Sequence, residues 1–413
     1  MSRAEILRNR PLRALLTAEV ISTTGAQMTW LALPWFVLTA TGSPARMTIV
    51  MAAELIGFAV AGLPSGMLLQ RLGARRTMLL ADAARAPLML LVPVLHWSGH
   101  LTFAALVVLA LLLGMLGAPY FTAQRVIVPE LFGEDERAVS QANALGQAAL
   151  RVTMLLGPPL AGVLIGVIDA ADVLVIDAIT YLVSFLLVAL FVPGKPGAPD
   201  TEESRGILAG LRFLAREPLL RVWIPLFVAG DAAWQAFFAA VPVLTIERFG
   251  ADARVAGALF AGFGAGALVG NFLSFRFLSD RIDALRLIAF SVPFQAAPLW
   301  LLTLDVGAPV LFAAVLASGI ANGICNPSIH ATFALRMPPA IRPKAMAAGG
   351  TIWGLGMPLG LVVAGPVLAA FGAEPVLVGF AAVQTICMLG AAGASLRARS
   401  GPSAAAEPEP EPA

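Results

Sequence analysis

Residues 62–76, GLPSGMLLQRLGARR, decide how the chain is read. A long apolar run stops there, and a short basic hairpin turns the chain back into another apolar run. Gly62 and Gly66 lie four apart on one helix face, where missing side chains let a neighbouring helix approach closely. Gln70, Arg71, Gly73, Arg75 and Arg76 then crowd a loop too short to form a domain. Between two membrane spans such a loop reads as cytoplasmic by the positive-inside rule. A weaker echo, SFRFLSDRIDALR, ends at Arg286; its Asp280-Arg281-Ile282 stands 210 residues after Gln70-Arg71-Leu72. One basic hairpin in each half predicts a duplicated membrane protein.

Composition agrees. The chain is 59% hydrophobic and only 13% charged, with a mean hydropathy of +0.85. A soluble protein carries about 25% charged residues, so the bilayer is the expected solvent. A net charge of +2 is too small to suggest nucleic-acid binding. Cys325 and Cys387 both fall inside apolar runs, which argues against a disulfide framework or a metal site.

A spanning helix needs roughly 20 apolar residues. Runs of that length cover 12–38, 47–69, 77–97, 103–123, 141–167 and 172–192, then 220–244, 254–278, 286–304, 309–334, 345–371 and 375–396. That predicts an all-α membrane protein of about twelve spans. With the N-terminus inside, all but four of the 27 Lys and Arg fall in cytoplasmic segments or at their edges; the exceptions are Arg46, Arg151, Arg248 and Arg254. This asymmetry predicts that both termini are cytoplasmic and that the protein is a multi-pass protein of the cell membrane. The expected units are a first six-helix half (1–192), a cytoplasmic linker (193–218), a second half (219–396) and a disordered tail (397–413). In the linker, ILAGLRFLAREPLLRV sets apolar residues on one helical face with arginines between them, as a surface amphipathic helix does.

The halves share more than a count. Leu12, Arg13, Gln27 and Pro34 recur as Leu220, Arg221, Gln235 and Pro242, all shifted by 208, and Pro119 recurs as Pro327 at the same shift. Gly157-Pro158-Pro159-Leu160 is answered by Gly356-Met357-Pro358-Leu359. Two parallel six-span repeats describe one transporter architecture above others.

These residues resemble the major facilitator superfamily. Residues 66–76 resemble that superfamily's signature between spans two and three, and LGPPLAG at 156–162 resembles the span-five motif of its proton-linked exporters. RNRPLRALLTAEVIS, LALPWFVLTATGSPA, VPELFGEDERAVSQANAL, IDAITYLVSF and LAGLRFLAREPLLR are similar to the branch of macrolide-efflux and enterobactin-exporter proteins. The resemblance implies two pseudo-symmetric six-helix halves around a central cavity, working by alternating access. Two departures stand out. Gln70 replaces the usual acid of the signature, which in the family is thought to cap a helix of the other half. Ala26 follows Gly25, where the branch often has an acid.

Ionisable groups in spans cost roughly 2.5 to 3.5 kcal/mol on insertion scales, so each is a functional candidate. Glu54, Asp231 and Glu19 are the candidates for proton coupling. Glu54 lies deep in the second span, where desolvation disfavours a charged carboxylate; a packing acid is the alternative. Asp231 lies four residues before Gln235 and so on the same face. Glu19 is nearer the cytoplasmic end, where it could pair with Arg13 or Arg85. Arg151 is either a counter-ion or a contact for an anionic substrate.

Gln27, Gln235, Asn322 and Asn326 either line a cavity or act as interhelical glue. Trp30, Trp234 and Phe238, with Trp35, Phe36 and Phe237, suit a bulky apolar ligand; lipid-facing placement is the alternative, above all for Trp35 and Phe36. Asp82 and Arg85, three apart, are expected to pair and to belong with Gly62, Gly66, Gln70, Arg71, Gly73, Arg75, Arg76, Asp280 and Arg281 in gating. Asp177 reads as a packing hydrogen bond, and Gly157, Pro158, Pro159 and Gly162 as a structural kink.

No nucleotide-binding loop, catalytic triad or metal cluster appears in the sequence, so neither an enzyme nor a cofactor is expected. His96, His100 and His330 read as solvated or packed. The expectation is a monomeric secondary transporter whose partners are a small-molecule substrate, protons and the lipid bilayer. It would export a lipophilic drug, antibiotic or siderophore-like metabolite. A proton-coupled importer and a non-transporting membrane scaffold or sensor are the alternatives.

Overall fold

The computed structural model describes residues 9–132, 136–194, 207–278, 281–338 and 341–400, and among them it is helical, with no strand. In the first half, α1 is Arg10–Thr41, α2 Pro44–Leu72, α3 Ala74–Trp97, α4 Phe103–Phe132, α5 Glu136–Ile165 and α6 Ala170–Phe191. The short α7, Ile207–Arg216, leads into the second half: α8 Leu220–Arg248, α9 Ala253–Leu273, α10 Ala284–Ala296, α11 Ala308–Leu335, α12 Arg342–Phe371 and α13 Ala373–Ser400. Every predicted span therefore has its helix. Residues 401–413 of the expected tail, 195–206 of the linker and Asp280 lie outside the described residues, while 397–400, expected to be disordered, are the end of α13.

Helix ends fall where the local chemistry stops a helix. Asn9 accepts the Leu12 N–H at 3.0 Å and Ser43 accepts that of Arg46 at 3.3 Å, each just before a proline in the first turn. Gly42 (φ +62°) and Gly73 (φ +78°) take the left-handed backbone between helices that β-carbons resist. Asp252 and Asp283 cap α9 and α10 in the same way as Asn9.

Three local features differ from expectation. The span at 286–304 is α10 followed by a tight 3₁₀ segment, Ala297–Thr303, because Pro298 cannot donate to the preceding α-helical turn. The end of α9 loosens into a π-helical turn at Ser274–Leu278. Eleven helices are long and apolar enough to cross a membrane by composition alone. The 32-residue α1 is not among them, since Arg13, Glu19, Thr23, Thr24 and Gln27 dilute it.

The same pairings occur in both halves. In the first, α1 packs on α5 and α6, α2 on α4, and α3 on α4 and α6; in the second, α8 packs on α12 and α13, α9 on α11, and α10 on α11 and α13. The main pairings between halves are α5 with α9 and α2 with α12, and α8 also touches α1 and α2. Consecutive spans run antiparallel, so the loops after α2, α4, α6, α9 and α11 gather at one end with the start of α1 and the end of α13. Arg71, Arg75, Arg76, Arg125, Arg281 and Arg336 are there; Arg46, Arg248 and Arg254 are at the other end. We call these the basic end and the far end.

The core is divided accordingly. At the far end one continuous apolar core joins both halves, from Leu31 and Val50 through Leu174 to Val241, Leu259, Leu361 and Phe380. At the basic end there are two separate cores. One, around Leu15, Met78 and Ile127, belongs to the first half; the other, around Trp223, Ile288 and Met337, belongs to the second. The amphipathic α7 lies against α12 and the start of α8, with Leu214 buried and Arg212 and Arg216 exposed.

Candidate functional site

Two cavities lie between the halves. The first, about 440 Å³, is walled mainly by the first half, with Gln235, Met357 and Leu361 contributed by the second. The second, about 510 Å³, is walled mainly by the second half, with Arg125 contributed by the first.

The first cavity brings together Gln27, Trp30 and Glu54 with Arg85, Phe58, Tyr120, Phe121, Gln124 and Tyr181. Glu54 is placed by a glycine: a β-carbon at Gly114 would run into the Glu54 carbonyl, and one at Gly57 into that of Leu111. Only bare backbone lets α2 and α4 approach so closely. Arg85 pairs with Asp82 at 3.5 Å, as the spacing predicted, but it faces the cavity wall rather than the basic loop. Its guanidinium lies 3.9 Å from the Tyr181 ring centroid and 5.2 Å from that of Tyr120, close enough for cation–π attraction. Asp177 completes the cluster. Thr29 Oγ1 donates to it at 2.6 Å and Thr180 Oγ1 at 3.0 Å, which links α1 to α6. Glu19 is buried beside Gln124, its hydrogen-bond partner, so the expected pairing with Arg13 or Arg85 gives way to a neutral one.

Asp231 lines the second cavity, with Trp234, Gln295, Asn322, Asn326, His330 and Trp353. The Trp353 indole N–H donates to the Asp231 carboxylate, and Asn322 Nδ2 donates to Gln295 Oε1 at 3.4 Å. Asp231 and Gln235 share a helix face but open into different cavities, because α8 runs past both. Trp30 meets Phe238 edge-on at 5.8 Å, so α1 and α8 touch between the two cavities.

Some expected residues are elsewhere. Arg151 is exposed on α5 and lines neither cavity; Leu150 and Met154 point there instead. Trp35, Phe36 and Phe237 are neither lipid-facing nor cavity-lining but buried in the far-end core. Gly62 and Gly66 have open space where a β-carbon would stand, so no helix approaches them closely here. Their face of α2 looks toward α12, which comes near at Ala59 and Gly354 and diverges below, leaving Gly350 open as well.

The basic loop after α2 is tied to its own half. Arg75 Nη2 donates to the Ala189 carbonyl at 2.6 Å, and Glu130 accepts the Ala74 N–H at 3.4 Å at the start of α3. Gln70 is half-buried, while Arg71, Arg76 and Arg281 are exposed. The span-five stretch has a more specific place than a kink. Gly157 receives Gln27 of α1, whereas Pro158, Pro159 and Gly162 meet Gly257, Ala253 and Arg254 of α9 in the other half.

Sequence reasoning missed Trp353, Gln295, Gln124 and Gly114, whereas Asp177, read as a packing hydrogen bond, makes such bonds to Thr29 and Thr180. Single polar or small residues in apolar runs carry no spacing signal; the lone indole of Trp353 was the only hint.

The family description that matches is Major Facilitator Superfamily, over residues 15–253 and 231–412. The chain is 27% identical over 383 residues to the multidrug efflux pump Tap of Mycolicibacterium fortuitum, covering 88% of this chain and 90% of that one. It is 24% identical over 374 residues to the pump of the same name from Mycobacterium tuberculosis (strain ATCC 25618 / H37Rv), covering 88% of each. Among solved structures, the nucleoside transporter NupG superposes with a TM-score of 0.74 at 14% identity, covering 95% of this chain and 99% of that one.

Proposed function

The chain belongs to the Major Facilitator Superfamily and is a multi-pass membrane transporter, and from that premise we propose that it exports a lipophilic small molecule in exchange for protons. The split core carries the reading: the halves share one apolar core at the far end and have separate cores at the basic end. That is one state of an alternating-access cycle, with the cavities open toward the basic loops. By the positive-inside rule the open side is the cytoplasm, so both termini lie there. Substrate enters from the cytoplasm or the inner leaflet, and aromatic walls around Trp30, Phe58 and Phe121 take its apolar body. Two similar proteins that are multidrug efflux pumps support the outward direction. Both cavities are complete within one chain, which suits a monomer.

Glu54 and Asp231 are the groups that exchange protons in this reading, one in each cavity. Closing the basic end brings α2 and α12 together along Gly62 and Gly66, while the loop of Arg71, Arg75 and Arg76 acts as the gate. Opening the far end requires Pro158, Pro159 and Gly162 to part from α9. The six-helix units at 1–192 and 219–396 move as bodies, joined by the linker at 193–218.

The test uses purified protein in liposomes with an imposed pH gradient, following ethidium and internal pH together. Ethidium accumulation that tracks the gradient, with opposite proton flow, is expected; Glu54→Gln and Asp231→Asn are each expected to abolish it in protein that still folds. Ethidium flux indifferent to the gradient would overturn proton coupling.

A further inference from the structure

The charges in the first half do not balance. Glu54 on α2, Asp82 on α3 and Asp177 on α6 surround a single guanidinium, Arg85. Tyr120 and Tyr181 flank it, and Glu19 of α1 adds a further carboxyl on the Tyr120 side. Asp82 and Asp177 are fully buried. One guanidinium neutralises one carboxylate, and Asp82 at 3.5 Å has it. Ionised carboxylates without a counter-charge are costly inside a membrane protein, so the other two acids need protons. Glu54 borders the cavity and is already assigned one. Asp177 is left.

Asp177 is also placed to exchange that proton. Thr29 and Thr180 donate to its two oxygens, so its ionised form is hydrogen-bonded as well as its neutral form. Thr29 itself lines the first cavity, two residues from Gln27 and one from Trp30. A ligand bearing on α1 therefore bears on the donor to Asp177. We propose that Asp177 is a second proton carrier in the first half, exchanging Arg85 with Asp82 as substrate loads and unloads. No bond other than O–H is made or broken. As substrate loads, Arg85 moves to lie between Asp82 and Asp177 and the Asp177 proton leaves through Glu54 to the open side; as substrate unloads, Arg85 returns to Asp82 and Asp177 takes up a proton from the opposite side.

This rests on the exporter reading, and the experiment separates the two. In liposomes, the proton-to-ethidium ratio is read from the pH gradient that just balances an ethidium gradient. Asp177→Asn keeps the shape and can still accept from one of the two threonines, but holds no exchangeable proton. The ratio is expected to fall by one proton. Each proton is worth about tenfold in the limiting accumulation for each pH unit imposed, so accumulation at a one-unit gradient drops about tenfold while downhill ethidium flux persists. A merely structural role would slow flux without changing the balance point, and an unchanged ratio overturns the proposal. Wild-type protein that moves no protons with ethidium overturns both readings. Should Asp177→Asn not fold, Thr29→Val decides, because it removes a donor to ionised Asp177 and leaves every acid in place: a balance point lowered toward one proton fewer supports Asp177, and an unchanged balance point overturns it.

Discussion

At the scale of single residues, the site depends on groups that hold the acids in place. The Trp353 indole is the hydrogen-bond donor to Asp231 in the second cavity, and its ring also meets Phe333 edge-on at 6.0 Å. A hydrogen bond to a charged group is worth about 1.5–3 kcal/mol. Trp353→Phe keeps most of the ring packing and loses the donor. It is expected to destabilise the protein by about that amount, and Asp231→Ala, which removes the acceptor, to cost less in the same background than it does alone. A double-mutant cycle on thermal unfolding measures the coupling, and additive effects would show that the pair contributes nothing. Glu54 and Asp231 were legible in the sequence because an acid in an apolar run is expensive wherever it points. Trp353 was not, since its meaning depends on which helix faces it. Arg151 shows the same limit from the other side, for depth along α5 was readable and direction around it was not.

At the scale of helices, glycine decides which pairs are fixed and which are free to move. Between α2 and α4, Gly57 and Gly114 each receive a carbonyl of the partner. Gly266, Gly270, Gly319 and Gly323 do the same between α9 and α11, so the repeat extends to the way its helices interlock. Gly62 and Gly66 look identical in sequence but meet nothing. Gly114→Leu should therefore cost about 3 kcal/mol, since the new side chain meets backbone that cannot yield. Gly62→Leu should leave unfolding within about 0.5 kcal/mol of wild type, yet slow transport by obstructing closure of the basic end. Thermal melts of both variants beside their ethidium flux test the contrast; equal destabilisation would show that the two glycines have one role. The positions of the helices were legible because apolar runs are local. The partner of a glycine is not local, so Gly62 and Gly66 were expected to pack and instead meet open space.

At the scale of the molecule, the contacts closing the far end should set how the two states are populated. A β-carbon at Gly162 would stand 2.6 Å from the Ala253 carbonyl, and Gly257 is equally confined by Pro158. Nothing in α9 next to Gly162 is a flexible side-chain tip; the neighbours are backbone atoms of Ala253 and Arg254. Leucine at 162 can therefore be accommodated only by parting α5 from α9. That contact exists only while the far end is shut, so the penalty falls on this state and spares the state with the far end open. Overpacking of this kind costs about 1–3 kcal/mol, and about 1.4 kcal/mol shifts a two-state ratio tenfold. Thr48 reports the change, because it is buried where Gly365 of α12 closes on α2 at the same end. With Thr48→Cys as the probe, Gly162→Leu is expected to raise labelling by an impermeant maleimide about tenfold or more from the far side. Labelling of a cysteine at Gly66, at the basic end, should fall in step. A rise at both ends would indicate unfolding, and no change at either would mean that the α5–α9 contact is not the closure that holds this state.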